Sequence, residues 1–191
     1  MSQLLDHIIQ FDQNLFLWLN GHHNRYWDAV MIVITNKLTW IPLYVLLLYA
    51  IIKQFKLKAI GLILSILAVV TLSDQIASTI FKPYFMRPRP CHEPSLESLI
   101  HLVGGCGGEF GFVSSHAATS FGIALIINLL PTSRLRATRW LFLWALVYSF
   151  SRIYVGVHYP LDLLVGAVVG VLSALLIFYF YIKLNKDDRI P

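Results

Sequence analysis

The sequence places Lys82, Arg87, Arg89 and Arg152 beside long apolar stretches, together with three groups able to move a proton or attack an electrophile: His116, His158 and Asp162. A cation held in hydrocarbon is costly, by about 2.5–3.5 kcal/mol at the centre of a membrane helix. Snorkelling to the interface accounts for a single terminal Lys or Arg. It accounts poorly for four gathered on one side, and an anionic ligand would offset the cost. Phosphate is the simplest such ligand, since Arg offers forked donors to its oxygens and Lys a point charge. His158 and Asp162 flank Pro160, a residue suited to the first position of a helix. A carboxylate four residues from an imidazole can accept its Nδ1 proton, which leaves Nε2 unprotonated and nucleophilic. An Asp in that turn also suits the helix dipole with no catalytic role. Ser114 and Ser115 precede His116 at the start of another apolar run. Such a start presents free N–H groups to an anion, and either serine suits the plain task of an N-cap.

These residues need elements that bring them to one place, and the composition says of what kind. Of 191 residues, 57% are hydrophobic and 13% charged, where a soluble domain has about 45–50% and about 25%. The apolar residues fall in blocks close to the roughly 20 that a spanning helix requires. Five spans are predicted, over about 27–52 (interrupted by Asn36 and Lys37), 57–81, 116–130, 140–154 and 161–182. A sixth arises if residues 4–36 form one or two short membrane segments. The expected fold class is all-α, a polytopic transmembrane helix bundle making one domain over residues 1–191. Residues 1–20 lack the basic start and cleavage site of a signal peptide. They interleave Leu4, Leu5, Ile8, Ile9, Leu15, Phe16 and Leu19 with Asp6, His7, Gln10, Asp12 and Gln13. That pattern reads as a helix lying in the membrane interface, or as an ordinary helix packed on the bundle.

Orientation follows from the basic residues. Lys53, Lys56 and Lys58, then Arg134, Arg136 and Arg139, then Lys183, Lys186 and Arg189 fall on one side, which the positive-inside rule makes cytoplasmic. The net charge of +5 is then topology and contact with anionic lipid, and no nucleic-acid motif accompanies it. The other side carries a short connection, about 155–160, and a Pro- and Gly-rich loop, about 82–115. Long ordered loops are usually functional. Lys82 to Pro90, Ser114 to His116 and Ser151 to Asp162 all reach that side.

Lys82 to Pro90 reads K-x6-R-P, Val113-Ser114-Ser115-His116 approximates P-S-G-H, and Ser151 to Asp162 reads S-R-x5-H-x3-D. In these segments the chain resembles the type 2 phosphatidic acid phosphatase superfamily, which includes vanadium haloperoxidases and glucose-6-phosphatase. The likeness runs from about residue 80 to 165, with Val113 and Ser115 standing where the family often has Pro and Gly. It implies that His158 is a nucleophile forming a phosphohistidine, with Asp162 orienting it. It implies that His116 protonates the leaving oxygen and then activates water. Lys82, Arg89, Ser114, Ser115 and Arg152 become the phosphate clamp, with no metal and no cofactor. Arg87 falls outside the motif and is left to meet lipid headgroups.

The resemblance implies a membrane lipid phosphatase whose substrate presents its headgroup laterally from the bilayer. Undecaprenyl diphosphate is the first expected substrate, followed by phosphatidylglycerol phosphate, phosphatidic acid and lipid A phosphates. Two alternatives stand: a lipid phosphotransferase using the same phosphohistidine, and a non-catalytic lipid-binding or transport protein, against which the intact His116, His158 and Asp162 argue. The expected location is a bacterial inner membrane with the site on the periplasmic or extracytoplasmic face. Cys91 and Cys106, the two cysteines of the chain, suit a disulfide in an oxidising compartment. A zinc site with His92 and His101 matches no standard spacing, and free thiols are the third reading. Asp74 is either a functional carboxylate or an interhelical hydrogen-bonding group. Trp18, Trp27, Trp40, Trp140 and Tyr159 read as interfacial belt anchors.

Overall fold

Local sequence sets most of the helix boundaries. Helix α1 spans Ser2–Asn20. Asn24 then opens α2, Arg25–Thr35, by accepting the Trp27 N–H through its side chain. Asn36 ends α2, and its side chain accepts the Leu38 N–H to start a 3-10 turn leading into α3, Ile41–Phe55. The expected first span is therefore two helices, parted where Asn36 offers the backbone an alternative partner. At Lys56, with φ of 51°, the chain reverses into α4, Ala59–Gln75. A π-helical turn, Ile76–Phe81, carries α4 into the short α5, Lys82–Phe85. Helices α6 (Ser115–Leu129), α7 (Trp140–Tyr154) and α8 (Pro160–Leu184) coincide closely with the last three apolar runs.

This computed structural model describes residues 2–130 and 136–185, leaving out the side chains of Ser2, Arg136 and Ala137. Of the basic residues that set orientation, Arg134, Lys186 and Arg189 lie outside the described residues. Among the described residues the protein is helical, with one isolated antiparallel bridge between Pro88 and Phe110. The helical stretches Lys37–Phe85 and Pro160–Leu184 are long and apolar enough to cross a membrane, and α6 is shorter.

Helix α6 sits at the centre, against α4, α7 and α8. Its contact with α8 is made by small residues. A Cβ on Gly166 would lie 2.6 Å from the Ser114 carbonyl oxygen, and one on Gly170 would collide with the Ala118 carbonyl. Ser65, Ser73, Ser120, Ser149 and Ser173 are buried, while Leu46, Leu64, Leu164 and Leu172 face outward. This inverts the soluble pattern. It suits hydrocarbon, where helices associate through close packing and polar contacts because the lipid is as apolar as leucine.

Helix α1 packs on α7 and α8 through Asp12, Phe16 and Asn20, all buried and spaced by four, while Leu4, Leu5, Phe11 and Trp18 point away. Asn20 donates to the carbonyls of Ile153 and Tyr154, two of the orphan acceptors at the end of α7. It also exchanges hydrogen bonds with the backbone of His101. Helix α1 thus has a packed stripe, as the second of its two readings expects, and an outward apolar face. Tyr159 is not a belt anchor. It is buried, edge-on to Phe16 at 5.4 Å.

Gly170→Ala should lower the thermal midpoint in detergent, because overpacking a tight helix contact costs about 1–3 kcal/mol. An unchanged midpoint would mean that α8 can leave α6 freely and that the glycine contact does not hold the bundle.

Candidate active site

Four chain segments converge at one end of the bundle. The first is the π-helical turn and the loop that follows α5. The others are the N-terminus of α6, the C-terminus of α7, and the connection into α8. Ser114 is the N-cap of α6: its Oγ accepts the Ala117 N–H and its own N–H donates to the Asp162 carbonyl at 3.0 Å. The cap reading of Ser114 is thus realised in the same residue that the motif puts in the phosphate clamp. Pro160 occupies the first turn of α8, and Asp162 caps that turn by accepting the Tyr159 N–H at 3.0 Å.

His158 and Asp162 are both buried, with Nδ1 3.1 Å from Asp162 Oδ2. A proton on Nδ1 donated to that carboxylate leaves Nε2 as a lone pair. Arg89 Nη1 donates to Nε2 at 3.3 Å and to the Val157 carbonyl at 3.3 Å. Gly111 closes over the pair: a Cβ there would meet Asp162 Oδ2 and Arg89 Cγ, each at 3.2 Å. The strand-like segment holding Arg87 and Arg89 is fixed by backbone hydrogen bonds from Arg89 N–H to Glu109 and from Gly111 N–H to the Arg87 carbonyl.

The cations gather around this pair. Lys82 Nζ donates to Ser115 Oγ at 3.2 Å, and Ser115 shares a 3.0 Å hydrogen bond with Ser78. Arg152 Nη1 donates to Thr35 Oγ1 at 2.6 Å. Lys82, Arg89 and Arg152 lie within electrostatic reach of both His116 and His158. Burial, and then Arg89, Arg152, Lys82 and Arg87, hold the His158 imidazole well below its ordinary pKa. It is neutral at pH 7. The Nε–H groups of Arg89 and Arg152 are buried with no hydrogen-bond partner among the described residues, an arrangement that costs stability unless an acceptor arrives.

His116 opens onto a cavity of about 930 Å³ lined by α3, α4, α6 and α7. Ser115, His116, Asp74 and Gln75 stand at its head, and the remainder is largely apolar, with Leu47, Ile63, Val70 and Ile123 among the lining. The His116 ring packs against Tyr148, centroids 5.0 Å apart. Asp74 shares this head and lies 3.5 Å from Ser78 Oγ.

Cys91 and Cys106 are joined by a disulfide with Cα atoms 5.9 Å apart. Their sulfurs are consumed in that bond, so they are not available as zinc thiolates. His101 is elsewhere, its Nε2 2.9 Å from Asp28 and its ring stacked on His23. Arg87 does not simply meet headgroups: Nη1 donates to Asp162 Oδ1 at 3.1 Å and Nη2 to Asp12 Oδ2 at 2.7 Å. The sequence reading did not assign Gly111, Asp12 or Thr35 to the site. Each acts through a long-range contact, and the one available signal was Asp12, an acidic residue in step with Phe16 and Asn20 along α1.

The PAP2 superfamily pattern matches residues 62–186, and the chain belongs to that superfamily. It is 35% identical to a lipid A 4'-phosphatase of Bacteroides thetaiotaomicron, over 98% of this chain and 86% of that one. It is 29% identical to an undecaprenyl-diphosphatase of Bacillus subtilis, over 84% of this chain and 78% of the relative. The crystal structure of a transmembrane PAP2 type phosphatidylglycerolphosphate phosphatase from Bacillus subtilis shares the fold. It has a TM-score of 0.64 and 20% identity, covering 97% of this chain and 88% of that one. The chain is a membrane PAP2 lipid phosphatase.

The depressed His158 pKa has a consequence for stability. In the unfolded chain His158 takes up a proton near pH 6.5, which the folded imidazole refuses. The His158 contribution to stability is therefore lost as pH falls below that value. Relative to wild type, His158→Gln should keep its thermal midpoint better between about pH 6.5 and 5. Equal slopes in the two proteins would place His158 in an ordinary, proton-accepting environment.

Proposed function

We propose that this phosphatase removes phosphate from a lipid A phosphate by way of a phosphohistidine on His158. The observation that carries the reading is the buried His158 imidazole, held at Nδ1 by Asp162 and set among Lys82, Arg89 and Arg152, with two buried Nε–H donors lacking an acceptor among the described residues. A phosphate would fill them, and in doing so would draw Arg89 off His158 Nε2 and free the nucleophile. The apolar cavity lined by α3, α4, α6 and α7 favours a lipid as the carrier of that phosphate. Among lipids, lipid A phosphate moves ahead of undecaprenyl diphosphate because the lipid A 4'-phosphatase relative aligns over 98% of the chain, the undecaprenyl-diphosphatase over 84%.

In this reading His158 Nε2 attacks phosphorus while the bond to the leaving oxygen breaks and His116 gives that oxygen its proton. Lys82, Arg89 and Arg152 stabilise charge on the transferring group, with Ser114 and Ser115 as further donors. Asp162 balances the imidazolium that forms. Water, deprotonated by His116, then attacks phosphorus. The P–N bond breaks, its electron pair returns to Nε2, and inorganic phosphate leaves. The basic turns around Lys56 and Arg139 face the cytoplasm under the positive-inside rule, which puts this chemistry on the opposite face of a bacterial inner membrane.

Phosphate release in detergent should be greatest on lipid A when compared with undecaprenyl diphosphate, phosphatidylglycerol phosphate and phosphatidic acid. Label appearing on a second lipid in place of water would make the protein a phosphotransferase. His158→Ala should abolish release from every substrate; retention of more than a few per cent would remove its assignment as nucleophile. His116→Ala should cost about 10²–10⁴-fold on an alkyl phosphate, whose leaving oxygen needs an acid. It should cost less on p-nitrophenyl phosphate, and equal losses would show that His116 is not the leaving-group acid.

Single cysteines introduced into a disulfide-free background at residues 58 and 99 test orientation. The reading requires residue 99 to react with a membrane-impermeant reagent in intact cells and residue 58 to be protected. The reverse pattern would move the site to the cytoplasmic face.

A further inference from the structure

Helix α1 lies outside the stretch that matches the superfamily, residues 62–186, yet it reaches the reaction centre through a single side chain. Asp12 is 4% exposed. Its Oδ2 accepts Arg87 Nη2 at 2.7 Å, and its Oδ1 accepts the Leu161 N–H at 2.8 Å, in the first turn of α8. Arg87 Nη1 continues the chain to Asp162 Oδ1 at 3.1 Å, and Asp162 Oδ2 holds His158 Nδ1. The guanidinium lies over the Tyr159 ring, 4.0 Å from its centroid. We infer that Asp12 and Arg87 are a positioning pair, which locks the Asp162 carboxylate and through it the His158 imidazole in the attacking geometry.

The reasoning rests on which oxygen does what. Asp162 Oδ2 already serves His158 Nδ1 and the Tyr159 N–H, so the rotation of the carboxylate is settled by what holds Oδ1. That partner is Arg87. A carboxylate held at one oxygen swings, and the imidazole it orients swings with it. Arg87 also needs a restraint, because it lies two residues from Arg89 and within reach of the same anion-seeking centre. Asp12 supplies it: with one Nη on each carboxylate and its face on Tyr159, the guanidinium is kept off an incoming phosphate. The bidentate fork suits this bridge, and a lysine ammonium, a point charge on a flexible stem, does not. Asp12 also ties the same pair to the start of α8, so the placement of α1 and the placement of the nucleophile become one constraint.

This inference rests on the reading of His158 as nucleophile, and the experiment separates the two. The full-length protein is purified in detergent as wild type, Asp12→Asn, Arg87→Gln, Arg87→Lys, the double variant and His158→Gln. Lipid A hydrolysis gives kcat and KM, and 15N-histidine NMR gives the tautomer of the His158 ring, assigned by its loss in His158→Gln. Asp12→Asn and Arg87→Gln should each lower kcat by about 10–100-fold with little change in KM, as loss of an orienting partner does. Their effects should be non-additive in the double variant, Arg87→Lys should restore little, and the fixed Nδ1–H tautomer of the wild type should become mixed. If Arg87 instead binds substrate phosphate, Arg87→Gln raises KM, and Asp12→Asn leaves activity unchanged or raised. That result overturns the inference, as does an unaltered tautomer in both variants. Turnover by His158→Gln would overturn the nucleophile reading itself, whatever the state of the pair. The NMR arm needs no substrate, so it decides the positioning role even if lipid A is not hydrolysed.

Discussion

Arg89 and Arg152 each bury a guanidinium Nε–H that finds no acceptor among the described residues, and they share their neighbourhood with Lys82. Like charges drawn together out of water are unfavourable twice, through desolvation and through mutual repulsion. A protein keeps such an arrangement when the surrounding structure over-determines it and an anion relieves it. The rest of the site can be understood as what makes this cluster tolerable. Thr35 takes one Nη of Arg152, Ser115 takes Lys82, and Val157 and the His158 ring take Arg89. These are neutral acceptors, weaker partners for a cation than an anion is.

The same cluster sets the protonation of His158. A histidine beside a carboxylate alone would tend to be charged. Here burial and four nearby cations act against the proton on His158, while Asp162 keeps the ring oriented. Orientation and basicity are thereby controlled by different groups. Asp162 directs Nδ1, and the cations ensure that Nε2 is left with its lone pair. In the proposed reaction, a bound phosphate would neutralise the cations just as the imidazole becomes positive, and so keep the charge of the site in balance.

The scaffold meets two demands that pull apart. The bilayer rewards large apolar side chains facing outward, as Leu64, Leu164 and Leu172 do. The site demands close, rigid backbone placement within. Small residues reconcile the two: Gly166 and Gly170 let α8 press onto α6, bringing the Asp162 carbonyl to the Ser114 N–H. Helix α1 completes the enclosure from the side, with Asp12 and Asn20 joining it to the start of α8 and the end of α7.

By itself the sequence determined what is local or periodic. Apolar runs marked the helices α4, α6, α7 and α8, since each must satisfy its own backbone in hydrocarbon. The four-residue spacing placed His158 beside Asp162, and Ser114 was legible as a cap because capping acts over three residues. The motif order brought Lys82, Arg89, His116 and Arg152 to one end of the bundle. Tertiary structure decided the rest. Arg87 and Arg89 have equal chemistry and neighbouring places in the chain, yet one holds Asp162 and the other His158. That division depends on Asp12, a residue 75 positions away, and on Gly111, whose lack of a side chain matters because the His158–Asp162 pair lies against it. Contacts of this range leave no period in a sequence, because they depend on where separate helices come to rest.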